Sequence, residues 1–103
     1  MATLAIIIVS WNTRDLLHRS IQTIHASLTG AGIDYTTVVV DNASSDGTPA
    51  MLRAEHPEVL LLEAGSNLGF AGGNNLALRR VLSSEFKGQS LEFQSNSELL
   101  TQN

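Results

Sequence analysis

The sequence predicts a three-layer α/β/α fold with parallel strands, Rossmann-like in architecture. Three observations support this. Three short apolar runs are each followed by a segment that reads as a helix. Each run is continuous rather than alternating, which suits strands covered on both faces. The glycine-rich and polar segments follow the runs, so they gather at the carboxyl edge of the sheet, where such folds bind ligands.

Leu4-Ala5-Ile6-Ile7-Ile8-Val9 is the first strand. Asn12 is placed to cap the next helix, with Asp15 in its first turn. Leu17, Ile21, Ile24 and Leu28 recur at spacings of four, three and four, which is one helical face, and Gly30 and Gly32 end it. Thr36 to Val40 form the second strand, closed by Asp41. Asn42 to Gly47 is turn chemistry. Thr48-Pro49 reads as an N-cap and first helical position, and Pro57 stops that helix near His56. Val59 to Leu62 is the third strand and Gly65 to Gly69 a loop. A third helix covers Ala71 to Leu82, with Leu78, Val81 and Leu82 on its buried side. The order is β-α-β-α-β-α, with strands joined by right-handed crossovers. Residues 1–84 are thus read as one half domain. Residues 85–103 are read as a polar tail, irregular or poorly ordered, with only a weak strand-like alternation at Leu91 and Phe93.

At 103 residues the chain fits one small domain. Its net charge of −4, without any run of Lys or Arg, argues against a nucleic acid partner. With no Cys, disulfides, thiolate metal sites and Cys nucleophiles are excluded. Leu4 to Val9 is far shorter than the about 20 apolar residues that span a bilayer, and no basic residues precede it as in a signal peptide. The sequence reads as cytoplasmic, with membrane-peripheral contact by the intact protein left open.

Three segments carry candidate chemistry. In Ser10-Trp11-Asn12, Trp11 can stack on a nucleobase, a contact worth about 1–3 kcal/mol in single-strand nucleic acid binding, or close one end of the core. In Asp41 to Thr48, Asp41 can accept hydrogen bonds from a base or ribose, or end its strand in an Asx-turn; Asp46 orders the turn or favours the next helix start. In Asn67 to Asn75, glycines allow close backbone approach and the helix start suits a diphosphate, or the glycines serve helix packing. Asn74 and Asn75 are costly early in a helix unless they cap it or bind something. His18, His25 and His56 have no metal-ligand spacing and read as structural. There is no Walker loop, no G-x-G-x-x-G after the first strand and no Gly-x-Ser-x-Gly elbow.

Taken together, Ile-Ile-Ile-Val-Ser-Trp-Asn at 6–12, Val-Val-Val-Asp-Asn-Ala-Ser-Ser-Asp-Gly-Thr at 38–48 and Asn-Leu-Gly-Phe-Ala-Gly-Gly-Asn-Asn at 67–75 resemble the family 2 glycosyltransferases of the GT-A fold. The third motif looks most like the rhamnosyltransferase-type branch. The resemblance covers about residues 3–82. It implies an inverting transferase that passes a sugar from a UDP- or dTDP-activated donor to an acceptor hydroxyl. It also implies that Val9, Ser10 and Trp11 hold the nucleotide, with Trp11 stacking on the base. Asp41 would contact uracil or thymine, and Asn67, Gly69, Gly72, Gly73, Asn74 and Asn75 would line the nucleotide site. Many relatives carry Arg where Asn74 stands, which fits the rhamnosyltransferase-like branch.

A divalent metal, Mn or Mg, is expected for the intact family member. It would be held by an Asp-x-Asp or Asn-Pro-Asp motif about twenty residues past the third helix start. Residues 83–103 contain no Asp, and their acids are Glu85, Glu92 and Glu98. No metal ligand and no catalytic residue is therefore assigned. The chain is read as an incomplete N-terminal half, truncated before the metal-binding and catalytic-base segments. The alternative is a non-catalytic nucleotide-binding or interaction module, self-associating through an uncovered sheet edge. A nucleotidyltransferase is disfavoured because Trp11-Asn12-Thr13 is not a Gly-rich basic loop, and a receiver domain because no acidic pair follows the first strand.

Overall fold

The computed structural model describes residues 4–83 and the backbone of a strand at 90–95. In order, the elements are β1 (Leu4–Ser10), α1 (Arg14–Gly30), β2 (Tyr35–Asp41), α2 (Thr48–Glu55), β3 (Leu60–Glu63), α3 (Gly69–Leu82) and β4 (Ser90–Ser95). The strands form one parallel sheet in the order β3-β2-β1-β4.

Alternation along the strands divides the core. Ala5, Ile7 and Val9 of β1 and Val38 and Val40 of β2 face α3, where Ala77 and Val81 meet them. Ile6, Ile8 and Val39 face the other way, against Leu17 and Ile21 of α1 and Leu52 of α2. This is the α/β/α sandwich expected from the continuous apolar runs. Ile7, Ile8, Leu17 and Leu52 are fully buried, each worth about 1.5–3 kcal/mol relative to exposure. His18 Nδ1 and His56 Nε2 are 2.8 Å apart, tying α1 to the end of α2. Burial, and next the nearby His18, hold His56 below the ordinary histidine pKa. His25 Nδ1 lies 2.7 Å from the Tyr35 hydroxyl.

Four expectations need correction. Residues 90–95 are not irregular: they run parallel to β1, Leu4 opposite Ser90 through Val9 opposite Ser95. Parallel pairing there satisfies the N–H and C=O groups along the side of β1 that β2 leaves open. The rest of the expected polar tail lies outside the described residues. β4 also occupies that side of β1, so the edges of the sheet among the described residues are β4 itself and β3, whose Glu63 pairs with Arg53. Asn12 does not cap α1; Thr13 holds the N-cap position, and Asn12 adopts φ 51°. Leu82 is half exposed. The buried face of α3 runs Gly73, Ala77, Val81, and Leu82 lies one helical step beyond it.

Candidate functional site

The turns after β1, β2 and β3 lie side by side at the carboxyl edge of the sheet. Ser10 is opposite Asp41, and Asp41 is opposite Glu63. Asn42 N–H donates to the Ser10 carbonyl at 2.9 Å, and Ala64 N–H to the Asp41 carbonyl at 3.0 Å. The sheet ladder thus continues into the loops and fixes their spacing.

The first turn holds Ser10, fully buried with its hydroxyl 3.1 Å from that of Thr13, and Trp11, half exposed. The core-closing reading of Trp11 does not fit a ring left so open. Val9 is buried on the α3 face. Its side chain belongs to the core, which leaves only its backbone for a ligand.

The second turn is tightly organised. Asp41 is 2% exposed. Its Oδ2 accepts the Ser44 N–H at 3.1 Å, an Asx-turn. Its Oδ1 is buried and has no partner among the described residues. Asp46 acts as a brace. Its Oδ2 accepts the Arg14 N–H at 2.9 Å, and its Oδ1 accepts the Thr48 N–H at 3.1 Å and the Thr48 hydroxyl at 2.5 Å. Burial raises the Asp46 pKa, but these hydrogen bonds outweigh it and hold the carboxyl below its ordinary value. The cap of α2 is therefore this carboxylate, with Gly47 at the N-cap position at φ 85°, rather than Thr48.

The third loop is joined to the second by Asn42, which the sequence did not single out. Its Nδ2 donates to the Gly69 carbonyl at 3.1 Å, and its Oδ1 accepts the Leu68 N–H at 3.4 Å. Asn67 Oδ1 accepts the Gly69 N–H at 2.8 Å, so Asn67, one residue before the N-cap position at Leu68, satisfies the first N–H of α3. That helix starts at Gly69, two residues earlier than expected, which puts Asn74 and Asn75 in its second turn. Asn75 is exposed. Asn74 is half-buried, and its Oδ1 is a second buried acceptor without a partner among the described residues. A Cβ at Gly73 would lie 2.7 Å from Val9 Cγ1, and one at Gly72 2.8 Å from Leu68 Cβ. Close packing of α3 on β1 therefore accounts for Gly73, and contact with Leu68 for Gly72. Of Gly69, Gly72 and Gly73, Gly69 at φ 74° is the one where an added Cβ would meet nothing within 4 Å among the described residues.

A cleft of about 280 Å³ lies behind the first turn, lined by Asn12, Thr13, Arg14, Asp15, Leu16 and Asp46. It includes neither Trp11 nor Asp41, and it is smaller than most ligand sites of about 300–1,000 Å³. Among the described residues no group of three His, Cys, Asp or Glu side chains could hold a metal ion. No helix among them is long and apolar enough to cross a membrane.

The structure is similar to that of the mannosyltransferase PcManGT from Pyrobaculum calidifontis in complex with GDP-Man and Mn2+, at 28% identity and a TM-score of 0.61. The match covers 76% of this chain and 24% of that one, so this chain spans about a quarter of the solved enzyme's length. No curated protein matches. The model of glycosyl transferase family 2 matches residues 5–84, the whole of the region that carries the three turns, and the chain belongs to that family.

Proposed function

We propose that this chain is the nucleotide-binding half of a cytoplasmic, inverting glycosyltransferase of the rhamnosyltransferase-like branch, which moves a sugar from a UDP- or dTDP-activated donor to an acceptor hydroxyl. One observation carries the proposal: Oδ1 of Asp41, buried and without a partner among the described residues, at the edge where three turns converge, one of which carries the half-exposed Trp11. An unpaired buried carboxylate oxygen is costly, and a ligand N–H would relieve that cost. A base that stacks on Trp11 and donates to Asp41 fits both residues.

The carboxylate also favours one kind of base. Ser44 N–H already bonds Oδ2, and Oδ1 is the oxygen with no partner among the described residues. Uracil and thymine present one ring N–H between two carbonyls. Guanine presents a ring N–H beside an amino group, and would use both oxygens of a free carboxylate. The start of α3 has no acidic residue in its first turn, so its partial positive charge remains available to a diphosphate. Ser10, Asn67, Gly69, Asn74 and Asn75 complete the proposed site; Val9, Gly72 and Gly73 shape it through packing. The described residues offer no ligand set for a divalent metal, and we assign it none.

Calorimetric titration of the chain with UDP, dTDP and GDP tests the proposal. Saturable binding of UDP or dTDP, tighter than that of GDP, is expected. A folded sample that binds none of the three, or prefers GDP, overturns it.

A further inference from the structure

We infer that Asn12 is a positioning residue for the nucleotide site: it locks the turn that carries Trp11 onto the loop that carries Asp41. This rests on the nucleotide-binding reading above. Trp11 is half exposed, so core packing does not hold its ring. Its direction is set by the backbone on either side. On one side, Ser10 is buried, paired with Asp41 in the sheet, and accepts the Asn42 N–H. On the other side is Asn12, at φ 51°.

That left-handed conformation is one that Asn tolerates and most residues do not. It turns the Asn12 N–H to Ser44 Oγ, at 2.9 Å, and Asn12 Oδ1 to the Ser45 N–H, at 2.8 Å. Ser45 Oγ lies 3.5 Å from the same Oδ1. These partners are 32 and 33 residues away in sequence. Ser44 is also the residue whose N–H occupies Asp41 Oδ2. Asn12 and Asp41 thus both hold Ser44, one through its hydroxyl and the other through its N–H. A base that must stack on Trp11 while donating to Asp41 needs both groups at a fixed separation, and ordering them only on binding would weaken affinity.

The test uses the full chain. Asn12→Gly keeps the left-handed backbone and removes the acceptor. Asn12→Asp keeps an acceptor and the tolerance for this conformation. Time-resolved fluorescence anisotropy of Trp11 in the free protein reads its local motion, and calorimetry reads UDP affinity. Asn12→Gly is expected to increase fast depolarisation of Trp11 and to weaken UDP binding about tenfold, equal to about 1.4 kcal/mol. Asn12→Asp is expected to restore both. Unchanged Trp11 motion in Asn12→Gly, or loss of affinity that Asn12→Asp does not rescue, overturns the inference. If Asn12→Gly does not fold, Ser44→Ala removes the other bond between the two turns, that of the Asn12 N–H to Ser44 Oγ, and must loosen Trp11. If the unaltered chain binds no UDP, the nucleotide-binding reading fails, and the anisotropy alone decides whether Asn12 fixes Trp11.

Discussion

Replacing Asp41 with Asn separates a binding role from a structural one, because the two roles predict opposite signs. In the free protein Asp41 is 2% exposed, with one oxygen bonded to the Ser44 N–H and the other buried without a partner among the described residues. An amide keeps the bond to Ser44 through its oxygen and removes a poorly compensated buried charge. The folded state is therefore expected to keep or gain stability in Asp41→Asn. Binding is expected to suffer, because the amide NH2 then stands where the base N–H must donate. Loss of a hydrogen bond to a charged acceptor costs about 1.5–3 kcal/mol, which corresponds to a Kd raised roughly 10- to 150-fold. Denaturant melts and UDP calorimetry on the same sample give both numbers. The reasoning is refuted if Asp41→Asn lowers stability by more than about 2 kcal/mol, the range for a broken buried network, or if UDP affinity is unchanged.

Two further predictions concern the scaffold. Gly73→Ala forces a Cβ to within 2.7 Å of Val9 Cγ1, inside a buried strand that cannot yield cheaply, so a loss of about 1–3 kcal/mol in denaturant melts is expected; a neutral result would remove the packing account of this glycine. Stability should fall on acidification in two separate windows. His56 has a lowered pKa in the folded state. The unfolded chain therefore takes up its proton first, and stability drops as pH falls below about 6.5, the ordinary histidine value. Asp46, also lowered, adds stability present above the ordinary carboxylate range and lost as pH falls through and below it. Melts from pH 8 to pH 3 should show both losses, and His56→Gln should flatten only the upper one.

The sheet was legible because β-branched runs covered on both faces have few other places to go, and α1 was legible because Leu17 and Ile21 recur at helical spacing. The details of the edge were not. An Asn before a helix reads as a cap, and nothing local distinguishes it from an Asn held at φ 51° by partners 32 residues away. Gly73 reads equally as room for a ligand or as close helix packing, and only its neighbour Val9 decides for packing. Asn42 has no pattern of its own, because its role lies in bonds to Leu68 and Gly69 across the edge. The strand at 90–95 was only faintly legible, as the alternation of Leu91 and Phe93, because it is polar and short, and its strand character is visible in its pairing with β1. Trp11 and Asp41 stood out in the sequence as residue types at strand ends. The buried, vacant oxygen that makes Asp41 informative emerged only from the fold.

The central claim is that one nucleotide contacts all three turns. Backbone amide NMR of the chain titrated with UDP tests this most directly. The account predicts saturating shifts concentrated at residues 10–12, 41–45 and 67–75, with α1 beyond its first turn and the start of β2 unmoved. Shifts elsewhere on the surface, or none in a sample whose spectrum is that of a folded protein, would contradict it.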